Sequence, residues 1–359
     1  MIDPSAVQPF EPGDVIPDIA MPGRDGRAVA LFQQEIAGKT LALWRTGPAV
    51  SADAVAEAAR LAADFAPLEA HLIHLIVGAM PKDVPAPPDA AVGGTLTQIF
   101  DPKNQIAHLF GLETDGIIAI DRNRRFLGAQ AGKTPRDARA LSRDALTASS
   151  TGTVAQQAPV LLVPDIFSAP DAQSLIAYWE ASDKALVNNV ARGDAGGNTY
   201  DSPQIKRRKD SPVQDRALFE LIKTRIERRV FPEIFKAFQC EIARMEMPRI
   251  GCYDSAELGE FKRHRDNTTP YTAHRKFALS INLNEDYEGG AVCFPEYGRR
   301  TYRPSTGGGV VFSCSLLHEA QPVTRGRRFG LFTFFTDAEG GKREDEMVAK
   351  HGLSRYSVG

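Results

Sequence analysis

Cysteine is scarce in this chain of 359 residues: four occur, Cys240, Cys252, Cys293 and Cys314, and none falls in the first 239 positions. No two of them form a CxxC pair, which argues against a disulfide framework and against a zinc site built from cysteines alone. Four reduced thiols in or near a core are the expectation. Long apolar runs are missing too. The run at 72–80 is far short of the roughly 18 to 20 residues that cross a bilayer, so no integral membrane segment is expected. Charge of one sign is missing as well: 43 Lys and Arg stand against 45 Asp and Glu, a formal charge of -2. No global field would draw such a chain onto nucleic acid or anionic lipid. The opening MIDPSAVQPFEPGD has neither a basic stretch nor an apolar one, so no secretory signal is read and the cytoplasm is the expected location.

What is present is the composition of an ordinary globular protein, 43% hydrophobic and 25% charged, which excludes a disordered or collagen-like chain. At roughly 150 residues per domain the length argues for two domains. The segment SSTGTVAQQAP at 149–159 is built of small polar residues, as a linker is. We therefore read residues 1–150 as one domain, 151–159 as a linker and 160–359 as a second domain.

In the first domain β-type runs at 41–46, 71–77, 116–121 and 125–131 alternate with helical patterns at 51–70, 104–112 and 135–148. That alternation predicts an α/β sandwich around a mixed sheet, with Ser51 as a helix N-cap and a loop at 82–94. In the second domain helices come first, at 170–183 and 213–238. Strand patterns follow at 240–253, 277–284, 291–294, 310–315 and 327–335, which predicts a mainly-β sandwich or jelly roll with a helical brace on one face.

Of seven histidines, His264 is distinguished by its setting KRHRDN. Asp266 lies two residues on, and on an extended segment both side chains project from one face. His318 stands 52 residues beyond Asp266, after the run VVFSCSLL. Two histidines and one carboxylate make the facial triad of non-haem Fe(II) oxygenases. Arg328 follows ten residues after His318, and a hairpin would return its planar fork beside the metal, where it suits a carboxylate.

With these residues the chain resembles the 2-oxoglutarate- and Fe(II)-dependent dioxygenases, and within them the prolyl 4-hydroxylase-like branch. The resemblance spans about 160–337 and rests on HRD at 264–266, FALSINLNEDYEGG, CFPEYG and HEAQPVTRGRR. It implies that His264, Asp266 and His318 bind iron and that Arg328 holds the C5 carboxylate of 2-oxoglutarate. It also implies a hydroxylation of a C–H bond with release of succinate and CO2, and ascorbate is a candidate reductant. Tyr253, eleven residues before His264, is a candidate hydrogen-bond partner of the cosubstrate. Asn282 alternates inward with Ser280 and is a candidate for the same carboxylate. Asn267 and Arg275 flank the metal motif as candidate substrate contacts, while His274 and the other histidines are read as structural. The basic clusters at 122–125 and 206–210 are read as solvated faces, the second also as a docking site for an acidic partner.

The first domain resembles the peroxiredoxin branch of the thioredoxin-like fold, through GDVIPDIAMPGRDGRAVAL at 13–31, LALWRT, DPKNQIAHLFGL and IIAIDRNRRF. Peroxiredoxins need a cysteine at the start of the helix after LALWRT, and here that stretch offers Ser51 and no thiol. A hydroxyl does not replace a low-pKa thiolate. The domain is therefore read as a packing, homodimerising or substrate-recruiting module.

The expected activity is hydroxylation of a protein or peptide side chain, or of a small amino-acid-like substrate. Three rival readings exist. A nucleic-acid demethylase of the AlkB kind would carry a second arginine six residues after the first, where this chain has Phe334. A zinc hydrolase would not require Arg328 at its spacing. A non-catalytic redoxin-type scaffold, or a sensor of iron and 2-oxoglutarate, is the third, prompted by the first domain's missing cysteine and opposed by the intact triad.

Overall fold

The structure is a computed structural model, and it describes residues 9–33, 36–65, 70–87, 96–137, 157–184, 186–191 and 199–351. The chain divides into two compact units, Met1–Gly152 and Thr153–Gly359.

The first unit is built on a five-stranded sheet in the order Leu96–Asp101, Ala70–Val77, Thr40–Thr46, Gly116–Ile120, Phe126–Ala131. The first three strands run parallel and the last two antiparallel. Ala70–Val77 is buried at every position, as a strand covered on both faces must be. Helix Ala52–Phe65 packs Leu61, Ala62 and Phe65 on one face, against Ala42, Leu72 and Ile117. The Ser51 hydroxyl accepts a hydrogen bond from the Ala54 amide at 3.1 Å and caps that helix. Strand Leu96–Asp101 was not among the expected elements, because Thr97 and Gln98 interrupt its apolar pattern at the sheet edge. Of the helix expected at 135–148 only the turn Pro135–Asp137 is described. Residues 138–148, like 66–69, 88–94 and 149–156 of the other expected segments, lie outside the described residues. The cluster at 122–125 is not simply solvated: Arg125 is buried and donates from Nη1 to the Gly13 carbonyl at 3.1 Å.

The second unit is mainly β. Its large sheet follows the path Leu161–Val163, Gly309–Ser313, Phe277–Asn282, Arg327–Thr336, Arg249–Asp254, Lys209–Pro212, Leu186–Val187, with Arg244–Met245 pairing to the long Arg327–Thr336 strand. A smaller sheet runs Phe261–His264, His318–Ala320, Val292–Cys293, Thr301–Tyr302. Strands of the two sheets alternate along the chain and enclose one apolar cluster in which Ala278, Val310 and Phe312 meet Val292 and Phe294. That is a jelly-roll arrangement.

On its other face the large sheet packs against helices. Leu175 and Trp179 of Ala169–Ala181 and Ile222 and Ile226 of Arg216–Arg229 share a core with Ile250, Leu279 and Leu331. The single helix expected at 213–238 is two, Arg216–Arg229 and Phe231–Phe238, with Pro232 in the first turn of the second. Proline lacks the amide hydrogen that would continue the first helix. The strand expected at 240–253 is likewise divided at Pro248 into Arg244–Met245 and Arg249–Asp254. All four cysteines are free thiols, three of them buried. Among the described residues no helix is long and apolar enough to cross a membrane.

Candidate metal centre and its cavity

Arg249–Asp254 alternates between two environments. Ile250 and Cys252 face the helices, so Arg249 and Tyr253 face the opposite way, into a cavity of about 200 Å³ between the sheets. The smaller sheet contributes the opposite wall with Phe261, His264, Val292, His318 and Ala320.

His264 and His318 sit directly across from each other in the antiparallel pair of strands. The His264 strand ends there, and Asp266 lies in the following turn rather than on an extended segment. The turn is held by the Asp266 amide, which donates to the Cys314 carbonyl at 3.0 Å. It aims the carboxylate back at both rings: Oδ1 is 3.5 Å from His264 Nε2 and Oδ2 is 3.4 Å from His318 Nε2. One ligand atom from each residue lies within 4.8 Å of the other two.

The rings are oriented for coordination. Nδ1 of His264 donates to the Lys262 carbonyl at 2.6 Å, and Nδ1 of His318 donates to the Leu316 carbonyl at 3.0 Å. With the proton placed on Nδ1, the lone pair of each Nε2 faces the carboxylate, the arrangement metal-binding histidines adopt. Burial pushes the His318 imidazolium down to about 4 against the pull of Asp266, so its ring is neutral near pH 7. Two imidazoles and one carboxylate on a single side of a cavity form a donor set that fits Fe(II) with open positions.

Arg328 is buried on the large sheet, paired across the strands with Tyr253. The chain does not return from His318 as a hairpin. It passes through Val323–Arg325, which pairs with Glu288–Gly289, before entering the large sheet. The guanidinium donates from Nε to Asn282 Oδ1 at 3.1 Å, from Nη1 to the Gly290 carbonyl at 2.8 Å and from Nη2 to Ser280 Oγ at 3.3 Å. All three partners are neutral, and no carboxylate among the described residues pairs with it. A buried cation held only by neutral acceptors is matched to an anionic ligand. Gly290 makes the approach possible: its φ is +65°, and a Cβ there would fall 3.0 Å from Arg328 Cδ.

Asn282 is committed to this frame. Its Nδ2 donates to Tyr287 Oη at 2.8 Å and to the Pro304 carbonyl at 2.9 Å, so the amide orients Arg328. The Tyr253 hydroxyl accepts from Arg208 Nη1 at 3.0 Å at the cavity wall. Asn267 donates to Ser315 Oγ at 2.7 Å. Arg275 makes a two-point pair with Glu246, its Nη2 at 2.7 Å, and lies 3.8 Å over the Phe334 ring. His274 is buried 3.3 Å from Glu246, away from the triad.

The cluster at 206–210 is a correction to the sequence reading. Lys206, Arg208 and Asp210 are buried, not solvated. Asp210 receives Lys206 Nζ at 2.7 Å and Arg208 Nη2 at 2.8 Å. Burial would raise its carboxyl, but Arg208 and Lys206 hold it down at about 2. Lys206 is itself lowered to about 7, by burial first and then by Arg208. The sequence reading also passed over Arg249, whose spacing of four from Tyr253 on one strand put it on the same face.

Over 199 residues the chain is 25% identical to a PKHD-type hydroxylase of Synechococcus sp., covering 53% of this chain and 83% of that protein. Over 183 residues it is 28% identical to a PKHD-type hydroxylase of Bordetella pertussis, covering 48% and 76%. The chain is similar over about half its length to the PKHD-type hydroxylases. Among solved structures a prolyl hydroxylase from Trichoplax adhaerens, crystallised with a peptide fragment, aligns over 52% of this chain and 86% of its own at 13% identity and a TM-score of 0.41. No family model matches the chain.

Proposed function

We propose that the chain is an oxidoreductase of the 2-oxoglutarate- and Fe(II)-dependent kind, a hydroxylase with its site in the second unit. The observation that carries this reading is one cavity holding both the His264, Asp266 and His318 donors and a buried Arg328 with no carboxylate of its own. His264, Asp266 and His318 would hold the metal, and Arg328 would hold the far carboxylate of 2-oxoglutarate. When bound, the iron supplies activation of O2 coupled to decarboxylation of 2-oxoglutarate to succinate and CO2, and oxidation of an unactivated C–H bond to C–OH.

The protein's own residues orient and protect. The backbone carbonyls of Lys262 and Leu316 fix both histidine tautomers, while Ser280, Asn282 and the Gly290 carbonyl hold the guanidinium in one plane. Tyr253 offers its hydroxyl proton to the cosubstrate from a position fixed by Arg208. Phe261, Phe312, Phe332 and Phe334 line the cavity and reduce its water. The substrate class is a protein or peptide side chain of prolyl type or a small amino-acid-like molecule, with ascorbate as a candidate reductant. The relatives' names as hydroxylases support this reading.

We read the first unit as a thioredoxin-like module of residues 1–150, joined through 151–159 to an oxygenase domain of 160–359. Its mixed sheet and the Ser51-capped helix support this. Its work would be packing, homodimerisation or substrate recruitment. The test is succinate release from anaerobically prepared, Fe(II)-loaded protein supplied with prolyl peptides and free amino acids. Succinate formed in proportion to a hydroxylated product supports the reading. Protein that binds neither iron nor 2-oxoglutarate would sink it.

A further inference from the structure

The cavity wall carries six Lys and Arg residues, of which Arg265, paired with Glu296, belongs to the turn after His264, and Lys206, Arg208, Arg249, Arg275 and Arg328 belong to the large sheet and its approaches. Four of these five have a clear assignment. Lys206 and Arg208 share Asp210, Arg275 takes both oxygens of Glu246, and Arg328 sits in the neutral frame suited to the cosubstrate. Arg249 has none of these. Among the described residues its guanidinium makes no hydrogen bond and no ion pair, and its Cζ lies 5.9 Å from the Phe334 ring. The two carboxylates nearest it in charge, Asp210 and Glu246, are already saturated by the other cations.

Its position separates it from the cosubstrate. Arg249 pairs across the sheet with Phe332, and Arg328 pairs with Tyr253. The two guanidinium-bearing residues thus stand four strand positions apart on one sheet face, roughly 13 Å at the usual rise per residue. The triad looks onto the same cavity from the opposite wall. A five-carbon diacid held at Arg328 and the metal leaves Arg249 for something else.

Charge points the same way. Fe(II) held by two imidazoles and the Asp266 carboxylate would carry a net single positive charge. Together with Arg328 it is neutralised by the two carboxylates of 2-oxoglutarate, and Glu246 neutralises Arg275. Lys206 and Arg208 occupy Asp210 and Arg275 occupies Glu246, so Arg249 has no hydrogen-bonded carboxylate in a partly buried wall, where an unpaired charge is costly.

We propose that Arg249 is a specificity-determining residue that binds a carboxylate of the substrate, so that the hydroxylated molecule is acidic close to the reacting C–H. The inference rests on the hydroxylase reading above. The carboxylate has two sources, the α-carboxylate of a free amino acid or chain end, or an Asp or Glu side chain beside the target residue.

The full-length protein, loaded anaerobically with Fe(II) and 2-oxoglutarate, is titrated calorimetrically with matched pairs: N-acetylproline against N-acetylprolinamide, and the capped dipeptides Pro-Glu against Pro-Gln. The visible charge-transfer absorption of the Fe(II) and 2-oxoglutarate pair reports loading separately. If that band cannot be formed, the hydroxylase reading fails, whatever Arg249 does. With the band present, one acid should bind at least about tenfold more tightly than its amide partner, and which pair responds identifies the source. In Arg249→Met the preference should vanish, and Arg249→Lys should restore part of it. Equal affinities within both pairs, no binding by either acid, or an acid preference that survives in band-forming Arg249→Met would each overturn the proposal.

Discussion

His264 and His318 occupy directly opposed positions on antiparallel strands, their ring centroids 4.2 Å apart, and Asp266 reaches both from the turn that ends the first strand. Each ring has its Nδ1 proton tied to a carbonyl of its own segment. Nothing else among the described residues lies in position to replace a missing donor, since no other group of three metal-ligating side chains occurs there. Each of His264→Ala, Asp266→Ala and His318→Ala should therefore lose iron on gel filtration and retain less than about 1% of turnover, a loss of roughly 3 kcal/mol or more. Iron content and succinate release check it. Full activity in any one variant would remove that residue from the centre.

The Arg328 guanidinium depends on its frame as much as on its charge. Arg328→Ala should raise the KM for 2-oxoglutarate by the equivalent of about 2 to 4 kcal/mol, the usual result of stranding a buried carboxylate. Iron binding should change little. Gly290→Ala should act in the same direction more weakly, because its Cβ would meet Val323 Cγ2 at 2.9 Å and Arg328 Cδ at 3.0 Å at a φ of +65°. If either variant loses iron while 2-oxoglutarate binds normally, Arg328 serves the metal side instead.

The grouping of His264, Asp266 and His318 was legible because their geometry is set by short segments: a two-residue step and a strand end. Arg328 was legible by its count from His318, although the path between them crosses sheets and is no hairpin. The basic wall was illegible by run length alone. A run such as KRRKD looks solvated until Lys209–Pro212 is known to pair with Arg249–Asp254, which buries Asp210 beside Gly251. Pairing between strands some forty residues apart is a tertiary decision. Arg249 and the helix break at Pro232 belong to a different class. Alternation and proline chemistry announced both, and the larger apolar pattern around them masked the signal.

Two histidines of the first unit predict how its stability follows pH. His71 and His74 are buried on Ala70–Val77, and burial lowers each to about 4 from the usual 6.5. The unfolded chain therefore binds more protons than the folded one between those values. Their contribution is fully present above about pH 6.5 and is lost as pH falls toward 4, at up to about 1.4 kcal/mol per pH unit for each ring. Thermal denaturation of the metal-free protein from pH 7.5 to 4.5 measures the slope. Trp44, which stacks on His74 at 5.2 Å, reports the first unit by fluorescence. Replacing His74 with Gln should remove its share of the slope. An unchanged pH dependence would mean that neither ring needs to be neutral in the folded state.

The last residues of the polar segment at 149–159 are part of the second unit's core. Ala158 is fully buried among Val310, Phe312 and Cys314, and its amide donates to Tyr302 Oη at 3.0 Å. Leu161–Val163 then forms the edge strand beside Gly309–Ser313. A chain beginning at Thr153 keeps this anchor, whereas one beginning at Val160 leaves the Tyr302 hydroxyl without its donor and opens a gap over Phe312. The shorter chain should be less stable by about 1 to 3 kcal/mol, the cost of a lost buried hydrogen bond and a small cavity. Urea denaturation compares the two. Iron and 2-oxoglutarate binding should persist in the longer chain, since every residue assigned to them lies beyond position 200. Equal stability of the two chains would show that Ala158 is only draped on the core, and loss of iron binding in the longer one would mean that the first unit supports the metal centre.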